Sequence, residues 1–374
     1  MLFSEQLYEK YNNYKEADIK YRRVRHKDIL PLIKKRSPDT FKITEIGKSF
    51  EDREIFMLKI GNGKTKIMLW SQMHGNEATA TSALFDVFNF FENSENFKEK
   101  IRKILNSCTL YFIPMLNPDG AERFQRRNAQ DIDINRDALR LETPEGYLLM
   151  RLRDEIKPEF GFNLHDQDIW YSAGDTKFPA TLSFLAPAFD KEKTINESRK
   201  KSMQLIAEMN ETLQNFIPCQ IGRYFDDFMP TAFGDNIQKK GTSTILIESG
   251  GFYRDTERQF VRKLNFVAIL SALHSISTNS YQKKEISDYE NIPFNKKNKL
   301  FDYILRNVVT EKNGKTYVTD IGIRSKALQD KDIFTIEDIG DLSRNFAYSE
   351  LDTEHRVIKN ISIGQDADFL KDFF

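Results

Sequence analysis

Three short stretches carry residue types that could act together on one metal ion. His74-Gly75-Asn76-Glu77 sets an imidazole and a carboxylate three residues apart. Such a pair can converge on one cation with a nitrogen and an oxygen donor. His165, in Asn163-Leu164-His165-Asp166-Gln167, could supply a third donor. Glu248 leaves the β-branched run 243–247 and enters Ser249-Gly250-Gly251. An acid at the end of a buried strand loses hydration, so it needs a partner or a task. Each stretch also has a plain structural reading: a loop histidine with Glu77 favouring a helix N-terminus, an ordinary loop histidine, and a carboxylate capping a turn. The chain has only five histidines, so a site needing two imidazoles has few possible compositions.

A second group of residues suits anion recognition. Asn117-Pro118-Asp119-Gly120 reads as a turn after a strand. The stretch 123–137 follows, with Arg123, Arg126, Arg127 and Arg136 near Asn135. Arginine offers a planar fork that matches a carboxylate. The alternative is a solvated loop in which these cations pair with Asp131, Asp133 and Asp137.

The elements that must position these residues are legible from periodicity. Runs at 55–60, 66–71, 109–114, 159–165, 182–186 and 244–247 read as strands. Segments 78–91, 144–156, 194–217 and 255–276 show helical spacing. Gly61-Asn62-Gly63 reads as the turn of a hairpin joining the first two runs. The alternation predicts an α/β fold with a mixed, largely parallel central sheet flanked by helices. HGNE then falls on a strand-to-helix turn and His165 at a strand's carboxyl end, where open α/β sheets bind ligands. The polar, lysine-rich stretch 278–300 reads as a linker. Beyond it, 303–309 and 316–323 flank Asn313-Gly314, a hairpin signal. From Leu328 onward, eleven acids face five bases. The expected domains are therefore 1–277, a linker at 278–300, and a small, acidic, mainly β C-terminal appendage at 301–374.

Composition bounds the rest. The chain has 374 residues, 40% hydrophobic, with 30 phenylalanines. This is enough to bury a core and excludes a wholly disordered chain. Lys plus Arg and Asp plus Glu are both 56, so no bulk polycation for nucleic acid or anionic membrane is expected. Two cysteines, Cys108 and Cys219, cannot build a disulfide framework or a four-thiolate zinc site and are expected as small buried apolar groups. No run approaches the roughly 18 apolar residues of a membrane span, and the first thirty residues lack a signal-peptide apolar region. As written, the sequence predicts a cytoplasmic protein; an engineered start at Met1 would leave a secreted or periplasmic one. The oligomeric state is left open.

Taken in order, HGNE (74–77), NPDG (117–120), RRNAQDIDINR (126–136), NLHDQ (163–167) and TILIESGG (244–251) resemble the zinc carboxypeptidase family, the metallopeptidases of the carboxypeptidase A type. The resemblance spans roughly residues 40–275. It implies one Zn2+ per chain on His74, Glu77 and His165, with a water in the open fourth position. It implies Glu248 as general base and then acid, and Arg126 as the group that polarises the scissile carbonyl and stabilises the oxyanion. Asn135 and Arg136 would clamp the substrate's terminal carboxylate, and Arg127, Tyr224 and Asp235 would be further substrate contacts, with Gly234 beside Asp235 in the specificity pocket. His26, His274 and His355 fall outside these motifs.

The sequence departs from the family pattern in three places. Asp137 stands where the familiar carboxypeptidases have Asn. The family's substrate-contacting tyrosine has only Tyr224 as a substitute. HGNE is also shared by the aspartoacylase and succinylglutamate desuccinylase group, which cleaves N-acyl amino acids. The function implied is hydrolysis of a C-terminal peptide bond. The alternatives are a zinc amidase or deacylase acting on acylated amino acids or cell-wall peptides, and a non-catalytic zinc-bound module that binds peptides. The expected partner is a peptide or acylated amino acid, with no nucleic acid and no membrane.

Overall fold

The computed structural model describes residues 1–297, 299–328 and 331–373. The chain forms two compact units. One comprises residues 1–168 and 181–294, the other 169–180 and 295–374. Strands run β1 (Lys42–Lys48), β2 (Glu54–Ile60), β3 (Thr65–Ser71), β4 (Cys108–Ile113), β5 (Phe160–Asp166), β6 (Ser172–Ala173) and β7 (Leu182–Leu185). They continue with β8 (Ile221–Arg223), β9 (Ser243–Ser249), β10 (Asn295–Lys296), β11 (Leu300–Lys312), β12 (Lys315–Leu328), β13 (Lys331–Gly340) and β14 (Phe346–Asp352).

The larger unit holds an eight-stranded sheet in the order β1-β2-β4-β3-β5-β9-β7-β8. The central strands β4, β3, β5 and β9 are mutually parallel. β1 and β2 join antiparallel at one edge, and β7 pairs antiparallel with β9. The mixed sheet matches the expected fold class. Central strands bury both faces, which is why they read as unbroken apolar runs. Side chains alternate between faces. Ile67, Leu69, Phe160, Phe162 and Ile247 therefore enter one core, with the helices Thr79–Asn93, Glu197–Gln214 and Gln259–Thr278. Met68, Trp70 and Ile113 enter a second core, against Pro144–Ile156 and Phe233–Lys239. Pro144–Ile156 starts as the sequence suggests, with Pro144 in its first turn and the Thr143 hydroxyl accepting the Gly146 N–H at 3.0 Å.

Three expectations need correction. β2 and β3 do not pair; β4 lies between them in the sheet. Gly61 has φ 85°, and a Cβ there would come within 2.4 Å of the Cys108 carbonyl oxygen. The glycine turn thus lets the chain pass tightly by β4 rather than fold back on itself. β2 instead pairs antiparallel with β4 on one side and with β1 on the other, a strand whose mixed polar pattern gives little sequence signal. The stretch expected as a linker is also largely structured. Residues Ser280–Lys283 and Ile286–Glu290 form short helices, and Tyr281, Tyr289 and Ile292 are buried in the first core. These three apolar anchors outweigh the polar composition around them. Finally, Cys108 is buried but Cys219 is exposed.

The smaller unit has a four-stranded sheet, β13-β12-β11-β14, and the two-residue pair β10-β6. β11 and β12 form the expected hairpin, with Asn313 and Gly314 both at positive φ. Among the described residues, no helix is long and apolar enough to cross a membrane.

Candidate metal centre

Parallel strands end at one edge of the sheet, and the motif residues gather there. His74 follows β3, Glu77 precedes the helix Thr79–Asn93, and His165 lies near the carboxyl end of β5. The loop carrying His74 is fixed by the NPDG turn. Asn117 Nδ2 donates to the Met73 carbonyl at 3.1 Å, while its Oδ1 accepts the Gly120 N–H at 2.9 Å. A Cβ on Gly75 would lie 2.0 Å from the Gly120 carbonyl carbon. The glycines of HGNE and NPDG thus let two backbones touch.

His74, Glu77 and His165 are all buried, and one donor atom from each lies within 4.8 Å of the others. His74 Nδ1 is 2.8 Å from Glu77 Oε1 and 3.1 Å from His165 Nδ1, which is 2.8 Å from Glu77 Oε2. Two imidazole nitrogens and a carboxylate form a donor set suited to zinc with an open position. Arg126 Nη1 donates to Glu77 Oε1 at 3.0 Å and to His74 Nδ1 at 3.1 Å, so the cluster already draws a positive charge. With Nδ1 accepting, the His74 proton sits on Nε2, which donates to Asp133 Oδ1 at 3.0 Å. A carboxylate behind a histidine fixes its tautomer with the other nitrogen free to ligate. Sequence reasoning placed Asp133 only among loop acids. Its position two residues before Asn135 and Arg136 was the available signal.

The electrostatics follow from this packing. Burial works to raise the Glu77 carboxyl, but His74 and His165 outweigh it and hold the group well below the usual carboxylate range. Burial lowers the basicity of His165. For His74 burial acts downward too, yet Glu77 and Asp133 prevail and raise it.

β5 and β9 align His165 with Glu248. Burial, then the charges of Glu77 and Asp166, push the Glu248 carboxyl well above its ordinary value. Glu248 Oε2 is shielded from solvent with no hydrogen-bond partner among the described residues. Arg258, unnoticed in the sequence, ties together the strand ends that carry these groups. It donates to the carbonyls of Ser249 at 2.6 Å, Gly250 at 3.1 Å and Gln167 at 3.1 Å.

The arginine stretch divides into distinct roles. Arg126 also donates from Nε to Asp133 Oδ2 at 3.0 Å, and it remains 44% exposed. Arg127 donates to the Asp131 carbonyl at 2.7 Å and points to the loop. Asn135 Oδ1 accepts the Phe233 N–H at 3.0 Å, which turns its Nδ2 away from Phe233. Arg136 is exposed, and its Nη1 donates to the Asn135 carbonyl at 2.7 Å. Asp137 is not its ion-pair partner. That carboxylate accepts the N–H groups of Glu142 and Thr143 and the Thr143 hydroxyl. Asp235 is buried and accepts the Met229 N–H at 2.8 Å, and burial lifts its carboxyl to about 6. Tyr224 follows the edge strand β8, with its N–H on the Phe184 carbonyl at 3.0 Å.

The zinc carboxypeptidase family model matches residues 27–176. The human carboxypeptidase N catalytic chain is 24% identical over 143 residues, 32% of this chain and 31% of its own length. Carboxypeptidase D of Drosophila melanogaster is 26% identical over 129 residues, 29% of this chain and 9% of its own. The aligned segments therefore span less than a third of these relatives. Among solved structures, a metallo-carboxypeptidase from Burkholderia cenocepacia superimposes with a TM-score of 0.53 at 16% identity, covering 68% of this chain and 69% of that one. Carboxypeptidase A from Helicoverpa armigera gives 0.52 at 13% identity, covering 75% and 80%. At these identities the likeness shows a shared fold.

Proposed function

From a zinc carboxypeptidase domain as the premise, we propose that this chain is a zinc metallocarboxypeptidase that hydrolyses the C-terminal peptide bond of its substrate. The observation that carries the reading is the convergence of His74, Glu77 and His165 beside Glu248 at the sheet's carboxyl edge. Those three side chains would hold the zinc. Bound there, zinc acts as a Lewis acid toward water and the scissile carbonyl.

The remaining work falls to the chain's own groups. Glu248 takes a proton from the attacking water and returns it to the leaving amine, a task its unpartnered Oε2 leaves it free to perform. Arg126 moves its exposed fork from Glu77 to the oxygen that gains charge. Asp133 keeps His74 in the ligating tautomer. Asn135 Nδ2 and Arg136 receive the terminal carboxylate, and Arg136 is available because Asp137 is engaged elsewhere. Arg127, Tyr224 and Asp235 stay in the reading as outlying substrate contacts.

The test compares kcat/KM for one peptide as free acid and as C-terminal amide. The free acid is expected to react at least about tenfold faster, since the amide leaves Arg136 without its charge-assisted contact. Arg136→Ala should shrink that ratio. Equal values would move the reading to an amidase or deacylase on the same metal chemistry.

A further inference from the structure

We propose that the edge of β12 at residues 315–319 takes up an extended peptide as an added strand, and that the peptide it fits carries a basic side chain toward its N-terminal end and an acidic one toward its C-terminal end. This inference concerns the smaller unit alone and does not depend on the catalytic reading. The pairing of β12 is lopsided. β11 accompanies it from Lys315 to Ile323, but β13 joins only at Asp320, opposite Gly340. Among the described residues, 315–319 therefore have a ladder partner on one side only. The opposite strand fixes which way the backbone faces. Val309 stands across from Val318, and it turns its N–H to the Arg356 carbonyl at 3.1 Å and its C=O to the Ile358 N–H at 2.9 Å. In an antiparallel pair, two facing residues either exchange both bonds or both point away. Val318 thus directs its N–H and C=O away from β11, and by alternation so does Thr316.

The same unit covers its other comparable edge. Along the outer side of β13, Ile336 donates to the Gln365 carbonyl at 2.9 Å and accepts the Gly364 N–H at 2.8 Å, and the Ala367 N–H bonds the Phe334 carbonyl at 2.7 Å. Edges without such cover are blunted in most proteins by charge, proline or a bulge. Here Thr316, Tyr317, Val318 and Thr319 are uncharged and of types that favour strands. Tyr317 is 40% exposed and Val318 54%.

A groove of about 830 Å³ runs along this edge, with Tyr317, Val318, Ile339, Ile361 and Ile363 in its lining. Ile363 is 66% exposed. Backbone bonds to Thr316 and Val318 would hold an added strand, and the apolar lining would take its alternate side chains. Antiparallel addition is the more stable ladder, and it prolongs β13 past Gly340. The incoming strand then begins beside Asp320 and Asp341 and ends beside Lys312 and Lys315. Asp320 is already paired with Arg306 at 2.9 Å, which leaves the exposed Asp341 to meet a basic side chain. The two lysines meet an acidic one. A strand of reversed charge order would put like charges together at both ends.

The test is fluorescence anisotropy of the full chain with a labelled, C-terminally amidated peptide, Lys-Thr-Val-Thr-Val-Thr-Glu, beside its charge-swapped form with Glu first and Lys last. The amide removes the free carboxylate that the proposed catalytic site would clamp. Wild type should bind the first peptide at least about threefold more tightly than the second at low salt. Val318→Pro removes one outward N–H at a position where an edge strand tolerates proline, and it should weaken binding about tenfold with Tm little changed. Asp341→Lys should abolish or invert the preference between the two peptides, and it decides the matter if the proline variant does not fold. No saturable binding up to about 1 mM, equal affinity for the two peptides, or unchanged binding in the variants would overturn the proposal. A concentration-dependent dimer seen by light scattering in wild type and lost in Val318→Pro would also overturn it, by assigning the edge to a second copy of this chain.

Discussion

Two of the polar clusters buried in the larger unit are built on opposite principles. Around Asp86 every demand is met. Its carboxylate accepts Arg262 Nε at 2.7 Å and Nη2 at 2.5 Å, the Tyr11 hydroxyl at 2.9 Å and the Glu16 N–H at 2.7 Å. Arg262 spends its remaining donors on the carbonyls of Ile19 at 2.6 Å and Glu16 at 3.1 Å. Around His165 demands are left open. His165 Nε2, Asp166 Oδ1 and Glu248 Oε2 have no partner among the described residues. Three carboxylates crowd together, and burial with Glu77 nearby lifts Asp166 to about 6. Titratable groups left unpaired and shifted by burial and like charge mark a candidate for chemistry, whereas a fully paired cluster serves the fold. The Asp86 cluster ties the N-terminal segment to the helix Gln259–Thr278; the His165 cluster is the one we propose holds a cation and meets a substrate.

Breaking each cluster should produce a different failure. His165→Ala removes one of three proposed metal ligands, and zinc measured by elemental analysis should fall from about one per chain to a small fraction. Undiminished stoichiometric zinc would refute the ligand assignment. Asp86→Ala should leave zinc per folded chain unchanged but destabilise the fold by about 3–5 kcal/mol, because it strands a buried guanidinium. Urea unfolding checks this, and a loss below about 1 kcal/mol would mean that the cluster is not the tie described.

A smaller effect lies outside both clusters. His274 packs against Phe3, with Lys100 Nζ 3.2 Å from its Nε2. Burial first, then Lys100 and Lys103, lower it to about 4. The unfolded chain takes up that proton below about pH 6.5 while the folded chain resists until about pH 4. Stability therefore falls as pH drops through this window, by about 1–2 kcal/mol after solvent screening. His274→Gln should lose less in Tm than wild type between pH 7 and 4.5.

The same contrast explains what could be read from the sequence. The proposed ligands were legible because His74 and His165 lie at the ends of buried apolar runs, where a polar residue stands out, and Glu77 follows His74 by three residues. The central strands and long helices were legible for the same reason. Asp86 was harder to see, although an acid inside the apolar helix Thr79–Asn93 signals a buried partner; that Arg262 supplies it, 176 residues away, is a tertiary fact. The Asp133 contact to His74 depends on how a loop folds back. The Gly61-Asn62-Gly63 turn misled because turn chemistry is local, whereas pairing was decided by β4 inserting between β2 and β3. The helices near 280–290 depend on two buried tyrosines in a stretch that is otherwise polar.

The most direct test of the central claim measures zinc and turnover in wild type and Glu248→Gln side by side, on a peptide with a free C-terminus. The substitution keeps size and hydrogen-bonding capacity, and it removes the proton acceptor at an atom the fold does not use. The account predicts about one zinc per chain in both proteins, with the variant's Tm unchanged or higher and its kcat lower by at least about 10²-fold. Turnover within a few-fold of wild type, with zinc retained, would contradict it.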